Sequence, residues 1–238
     1  MKDGRAPVVV ALVFLVGAMV AAFVVGTPPP SRSGDAATKE FLAAWERSRL
    51  ATFVVHSDFV RTLPDGNQLK STTTTVQDPP DNRLVIGFGS VSGRLDGKIV
   101  GCAAVPSGSG ACVTGPPAPD YGSEVDDEIQ GLADYVSGPR PLYSVLDFGN
   151  GFVGGFGSGT SHCFRLDLSI ALPSPPYGDQ ALFCFDRASG APSLTEIRRP
   201  EAVDQTIARQ IVTTVQPSDL QVPDDRGPVV GVGPAPGG

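Results

Sequence analysis

The sequence predicts an α+β fold, an antiparallel β-sheet with two helices covering one face, preceded by one hydrophobic N-terminal helix. Three observations predict it. Glycine (29) and proline (23) together exceed a fifth of the 238 residues while charged residues are only 18%, a profile of strands and turns rather than long surface helices. Two segments of helical periodicity each precede a run of strands. The strands are joined by hairpin signals rather than by helical crossovers, which selects antiparallel pairing.

Ala6 to Gly26 is 21 residues without a charge, long enough as a helix to span the hydrocarbon core of a bilayer. Lys2 and Arg5 precede it, so residues 1–5 are expected in the cytoplasm and the rest outside, at the cell membrane. A cleaved signal peptide is the alternative reading. The run exceeds a usual signal core, and no A-x-A site precedes Thr27-Pro28-Pro29-Pro30. Residues 27–34 read as a linker, 35–223 as one extracytoplasmic domain, and 224–238 as a disordered Gly/Pro/Val tail.

Asp35 caps an expected helix to about Arg49, with Phe41, Leu42 and Trp45 as its apolar stripe. A strand rich in β-branched and aromatic residues follows, carrying Phe53, Val55 and Phe59. Pro64-Asp65-Gly66-Asn67 turns it into the Thr-rich strand 68–77. Beyond Asp78-Pro79-Pro80-Asp81 comes a strand with Leu84, Ile86 and Phe88 on one face, then a hairpin about Asp96-Gly97. Ser123 opens the second helix, to Ser137, with Val125, Ile129, Leu132 and Val136 buried. Glu124, Asp126, Asp127 and Glu128 crowd its first turn, where the dipole favours them and the face is read as solvated. Strands then resume to a last one over 208–215.

The four cysteines lie on the external side, where an even number implies disulfides. Zinc is disfavoured by two histidines and no C-x-x-C. The local pairing, Cys102–Cys112 and Cys163–Cys184, is preferred. As an antiparallel hairpin it places Phe164 opposite Phe183 and Leu166 opposite Ala181, with both cysteines on the other face.

Net charge is −7 and no basic stripe is interleaved with aromatics, so no nucleic acid is expected as a partner. Gly149 to Gly154 matches G-x-G-x-x-G but leads into a strand, not the helix that a pyrophosphate needs, so no cofactor is expected. His56 and His162 have no nucleophile context, and no enzyme is predicted. The acidic residues around 120–128 lack EF-hand spacing, and no metal site is read there.

Phe41, Trp45, Phe53, Val55, Phe59, Leu84, Ile86, Phe88, Phe164, Leu166 and Phe183 fall on plausible inward faces. They form either a packed core or the lining of an apolar cavity, and periodicity does not separate the two. The segments FLAAWERSRLATFVVHSDFVR and DPPDNRLVIGFGSVSGRLDGK resemble the N-terminal part of the LolA-like group. That group includes lipoprotein carriers, the mycobacterial LppX and LprG lipoproteins and the sensory RseB domain. SHCFRLDL, ALFCFDRASGAPSLTEIRR and the end Ser218 to Pro223 resemble its closing strands, with Asp186 to Pro192 as the turn. The resemblance implies a half-barrel sheet curled around its helices and an apolar cavity for an acyl chain, lipid or lipoprotein, lined by the residues above. It also implies an alternative, a sensory domain contacting a membrane-protein partner through the acidic helix or the glycine loop. A retained Ala6–Gly26 anchor would confine either role to one membrane face.

Overall fold

A computed structural model describes residues 32–87, 89–103, 111–150, 160–221 and 229–231. The Ala6–Gly26 segment, Phe88 and the glycine loop 151–159 lie outside them. Among the described residues no helix is long and apolar enough to cross a membrane.

The chain runs β1 (Arg32–Ser33), α1 (Asp35–Leu50), β2 (Phe53–Thr62), β3 (Gln68–Asp78), β4 (Asn82–Gly87), β5 (Ser90–Leu95), β6 (Lys98–Ala103) and β7 (Ala111–Pro117). It continues with α2 (Tyr121–Val136), β8 (Tyr143–Asn150), β9 (Ser161–Leu168), β10 (Gln180–Asp186), β11 (Pro192–Arg199) and β12 (Ala202–Val212). A short 3-10 helix (Pro217–Leu220) and β13 (Val229–Gly231) complete it. All strands join one sheet in the order β1-β8-β9-β10-β11-β12-β2-β3-β4-β5-β6-β7-β13, antiparallel except for β13 beside β7. The α+β class with two helices is as read from the sequence. Three boundaries are corrected. The second helix begins at Tyr121, because Asp120 rather than Ser123 caps it by accepting from the Ser123 N–H. The closing strand is the longer β12. Val229–Gly231, within the stretch read as a disordered tail, pairs with Cys112, Val113 and Thr114.

Both disulfides form as expected, each joining residues directly opposite on neighbouring strands. The β9–β10 register sets Phe164 against Phe183 and Leu166 against Ala181. The alternation then sends Cys163 and Cys184 to the far face, where they pack with Leu194.

The helices lie against one face of the sheet, and that face must curve around them. Near its end α2 packs Leu132 and Val136 with Tyr143 of β8, while near its start Glu124 meets Arg94 of β5. In the sheet β8 and β5 are eight strand steps apart, about 38 Å if flat. Along the helix, Glu124 and Val136 are only about 18 Å apart. Gly93 of β5 lies so close to β4 that a Cβ there would come within 1.9 Å of the Arg83 carbonyl oxygen. The face turned to the helices is therefore concave.

The core has two main parts. On the concave side Ala37, Phe41 and Ala44 of α1 and Leu132 and Val136 of α2 pack on Tyr143, Val145, Phe164, Leu166, Ala181, Phe183 and Phe185. On the convex side Val54, Val76, Leu84, Val91, Val100 and the Cys102–Cys112 pair form a second cluster, covered by Val215 and Leu220 after β12. Replacing Phe164, which has no exposed surface, is expected to destabilise the domain strongly. Phe164→Ala should cost about 3–5 kcal/mol in urea unfolding, and a loss within ordinary surface scatter would contradict this packing.

Candidate functional site

The expected cavity residues do not share one space. Phe41, Trp45, Phe164, Leu166 and Phe183 come together between the helices and β8–β10. Their rings touch: Phe41 lies 5.5 Å from Phe164, and Trp45 lies 5.1 Å from Phe183. Phe41, Phe164, Leu166 and Phe183 are all buried there. Phe53 and Val55 pack separately with Ala191 and Ala208, still on the concave side. Leu84 and Ile86 lie on the convex side, a correction to the single inward set. The reason is register: Val54 pairs with Val76 and Val76 with Leu84, so Leu84 shares the face of Val54, not that of Phe53 and Val55. Both faces of β2 are apolar, and periodicity in one strand does not say which face its neighbours share. Phe59 borders an open concavity of about 580 Å³ with Arg61, Leu69, Lys70 and Ser71.

Tyr177, not singled out by the sequence, completes the aromatic group. It sits in the loop between β9 and β10, with its ring 5.5 Å from Phe183 and 5.9 Å from Tyr143. The buried Tyr143 hydroxyl pins that loop, accepting from the Tyr177 N–H at 2.9 Å and donating to the Gly178 carbonyl at 3.0 Å. Its only sequence signal was an aromatic among prolines.

The other half of the helix–sheet interface is ionic. Arg49 of α1 and Arg94 of β5 are buried, and both meet Glu124 of α2, at 2.9 and 2.7 Å. Arg49 also meets Glu128 at 2.9 Å. Trp45 donates its indole N–H to Glu128 at 2.7 Å. The acidic start of α2, read as a solvated face, thus turns Glu124 and Glu128 inward and leaves Asp126 and Asp127 exposed. Arg83 reaches the same region. Burial and the nearby Arg49 charge lower its pKa, and its Nε has no partner among the described residues. The buried amide of Gln77 donates to the Ser48, Arg49 and Ala51 carbonyls at 2.6–3.0 Å.

Past the helices, the concave face continues over β4–β7. One cross-strand row there reads Val85, Ser92, Gly101, Val113. Ile99, opposite Arg94, belongs to the same face. Val85, Ile99 and Val113 are each 37–43% exposed, and a Cβ on Gly101 would meet nothing within 4 Å. The result is a shallow aliphatic trough with small residues along its floor. Sequence reasoning missed it because these residues alternate with buried ones and form no run.

Both histidines have a polar partner. His162 bonds Asp147 through Nε2 at 2.7 Å, and His56 Nδ1 lies 3.0 Å from the Thr74 hydroxyl. Among the described residues no serine hydroxyl bonds either ring. Gly149 lies near the end of β8, and the rest of the glycine motif, from residue 151, lies outside the described residues.

Two outcomes follow. Glu124→Ala takes from the buried Arg94 the carboxylate it meets, and from Arg49 one of its two. Because Glu124 is itself 37% exposed, the loss in chemical unfolding should be about 2–3 kcal/mol, below the full cost of breaking a buried pair. Burial, with Glu128 nearby, raises the Tyr177 phenol to about 12. The native state therefore holds the neutral phenol more tightly than the unfolded chain does. This contribution is whole below the unfolded value of about 10 and fades as pH rises through the native one. Melting temperatures should fall between pH ~10 and ~12 less steeply in Tyr177→Phe than in the parent chain.

No family model and no curated protein matches the chain. Solved structures do. MucB matches at 14% identity and a TM-score of 0.45, over 82% of this chain and 66% of that one. MucB in complex with MucA(peri) matches at 18% and 0.41, over 82% and 62%. The chain therefore spans just under two thirds of the MucB chain. A LolA superfamily protein from Nitrosomonas europaea matches at 11% and 0.32, over 78% and 97%. LprF from Mycobacterium bovis matches at 11% and 0.26, also over 78% and 97%. Each is a likeness of arrangement at low identity.

Proposed function

We propose that the chain is a non-enzymatic extracytoplasmic module, held at a membrane by Ala6–Gly26, that lays an acyl chain or lipid along the uncovered part of its concave face. The observation carrying this reading is the trough of Val85, Ile99 and Val113 over Ser92 and Gly101, which the helices leave open. Apolar side chains held out of the core beside open space are what an acyl chain covers most cheaply. The aromatic group of Phe41, Trp45, Phe164 and Phe183 acts in this reading as the rigid base of the helices, since its rings pack on one another. Leu69, 60% exposed beside Phe59 on the same concave face, offers a second apolar contact.

A partner protein is the second reading, favoured by a different surface. The β9–β10 loop exposes Ile170 and Leu172 while its Tyr177 touches the exposed Tyr135 of α2. In that reading Ile170→Asp with Leu172→Asp abolishes cross-linking to a membrane protein in whole cells and leaves lipid content unchanged.

The lipid reading is tested by native mass spectrometry of the domain freed of residues 1–26. Lipid should co-purify with the parent chain and fall by about ten-fold in Gly101→Leu, whose new side chain fills the trough. Equal lipid in both, or none in the parent, would sink it.

A further inference from the structure

Seven arginines of the domain, at 49, 61, 94, 165, 198, 199 and 209, each hold a carboxylate. Arg32, Arg47, Arg83, Arg140 and Arg187 hold none among the described residues, and three of these five, Arg32, Arg47 and Arg187, border one cleft of about 530 Å³. They come from β1, from α1 directly after it and from the turn after β10, far from both in sequence. Glu40, Asp147, Gly149 and His162 complete the lining.

The two carboxylates of the lining differ. Asp147 is 4% exposed and already accepts from the Gly149 N–H at 2.6 Å and from His162 Nε2 at 2.7 Å. Its charge is spent within the wall. Glu40 is exposed, so three arginines line the cleft against one solvated carboxylate. His162 is held in place from both sides, by Asp147 and by the Phe164 ring at 4.3 Å. Its Nδ1 has no hydrogen bond among the described residues. The turn that carries Arg187 is also fixed. Asp186 accepts from the N–H and the hydroxyl of Ser189, and Gly190 closes the turn at φ +75° against Arg47 and Ala51.

We propose that this cleft is a binding site for a phosphate group. Arginine's planar fork of donors matches the oxygens of a phosphate, and charge-assisted bonds of this kind are the strong ones. Three such forks from separate elements surround a tetrahedral oxyanion better than they serve any one side chain. His162 Nδ1 can accept from a protonated phosphate oxygen. The chain as a whole is acidic at −7, so a cationic cleft stands out as a local well for anions. Two sources supply that chemistry, a free phosphate and a lipid headgroup. Arg32 follows Gly26 by only a short proline-containing segment, so the lipid source rests on the anchor proposed above while the phosphate chemistry does not.

The test uses the full chain in phosphatidylcholine nanodiscs, titrated calorimetrically with inorganic phosphate and with dihexanoyl phosphatidate. Binding of at least one below ~10 mM is expected, weakened about ten-fold or more in Arg47→Gln with Arg187→Gln and strengthened at low salt. Arg140→Gln, outside the cleft, should bind as the parent does. Tighter binding of the phosphatidate assigns the site to a headgroup, and equal binding assigns it to a free oxyanion. If neither ligand binds, or the double variant binds like the parent while melting at the same temperature, the proposal is overturned. Loss of lipid in Gly101→Leu with phosphate binding intact would separate this site from the acyl trough.

Discussion

The last carbonyls of a helix have no partners within it, and at α1 they are buried. This requirement organises the domain. Gln77 of β3 supplies an amide to the carbonyls of Ser48, Arg49 and Ala51, and the Tyr121 hydroxyl of α2 donates to Arg49 at 2.6 Å. One helix end thus fixes a central strand, the start of the other helix and, through Arg49, the acidic turn of α2. The electrostatics agree. Arginines stand at the negative end of α1, and Glu124 stands near the positive end of α2, with each meeting the other.

From this junction the interior divides. Toward β8–β10 the helices rest on aromatic rings in contact, where dispersion and burial stabilise the packing. Toward β3–β5 they rest on paired charges, which contribute less net stability than apolar contact but fix one geometry. The sheet has to curve to reach both, and its far strands then extend past the helices with their concave side uncovered. The open trough and the packed core follow from one cause, helices too short to cover a sheet of this width.

Much of this was legible in the sequence. The α1 stripe, the Asp96-Gly97 hairpin and both disulfides were readable because local periodicity and turn chemistry decide them. The Cys163 strand shows why. Its apolar alternation and its cysteine agree on one register, and only one pairing satisfies both. What was not legible depends on how strands meet. Leu84 and Phe53 both read as inward, and only the pairing through Val76 shows that they face apart. Glu124 and Glu128 read as solvated because their partners, Arg49 and Arg94, are far away in sequence. The trough draws single residues from several strands and the arginine cleft from a strand, a helix and a turn, a pattern that no window along the chain displays.

The two disulfides each close a hairpin between near neighbours, with sequence separations of 10 and 21. The seam between β2 and β12 joins residues much farther apart. Its bidentate pair, Arg61 with Asp204, spans 143 positions. In kinetic terms the wings of the sheet are built from early, local contacts that oxidation can make permanent. The centre is a late event that brings the two ends of the domain together. During synthesis the seam between β2 and β12 can therefore close only after nearly the whole domain has emerged.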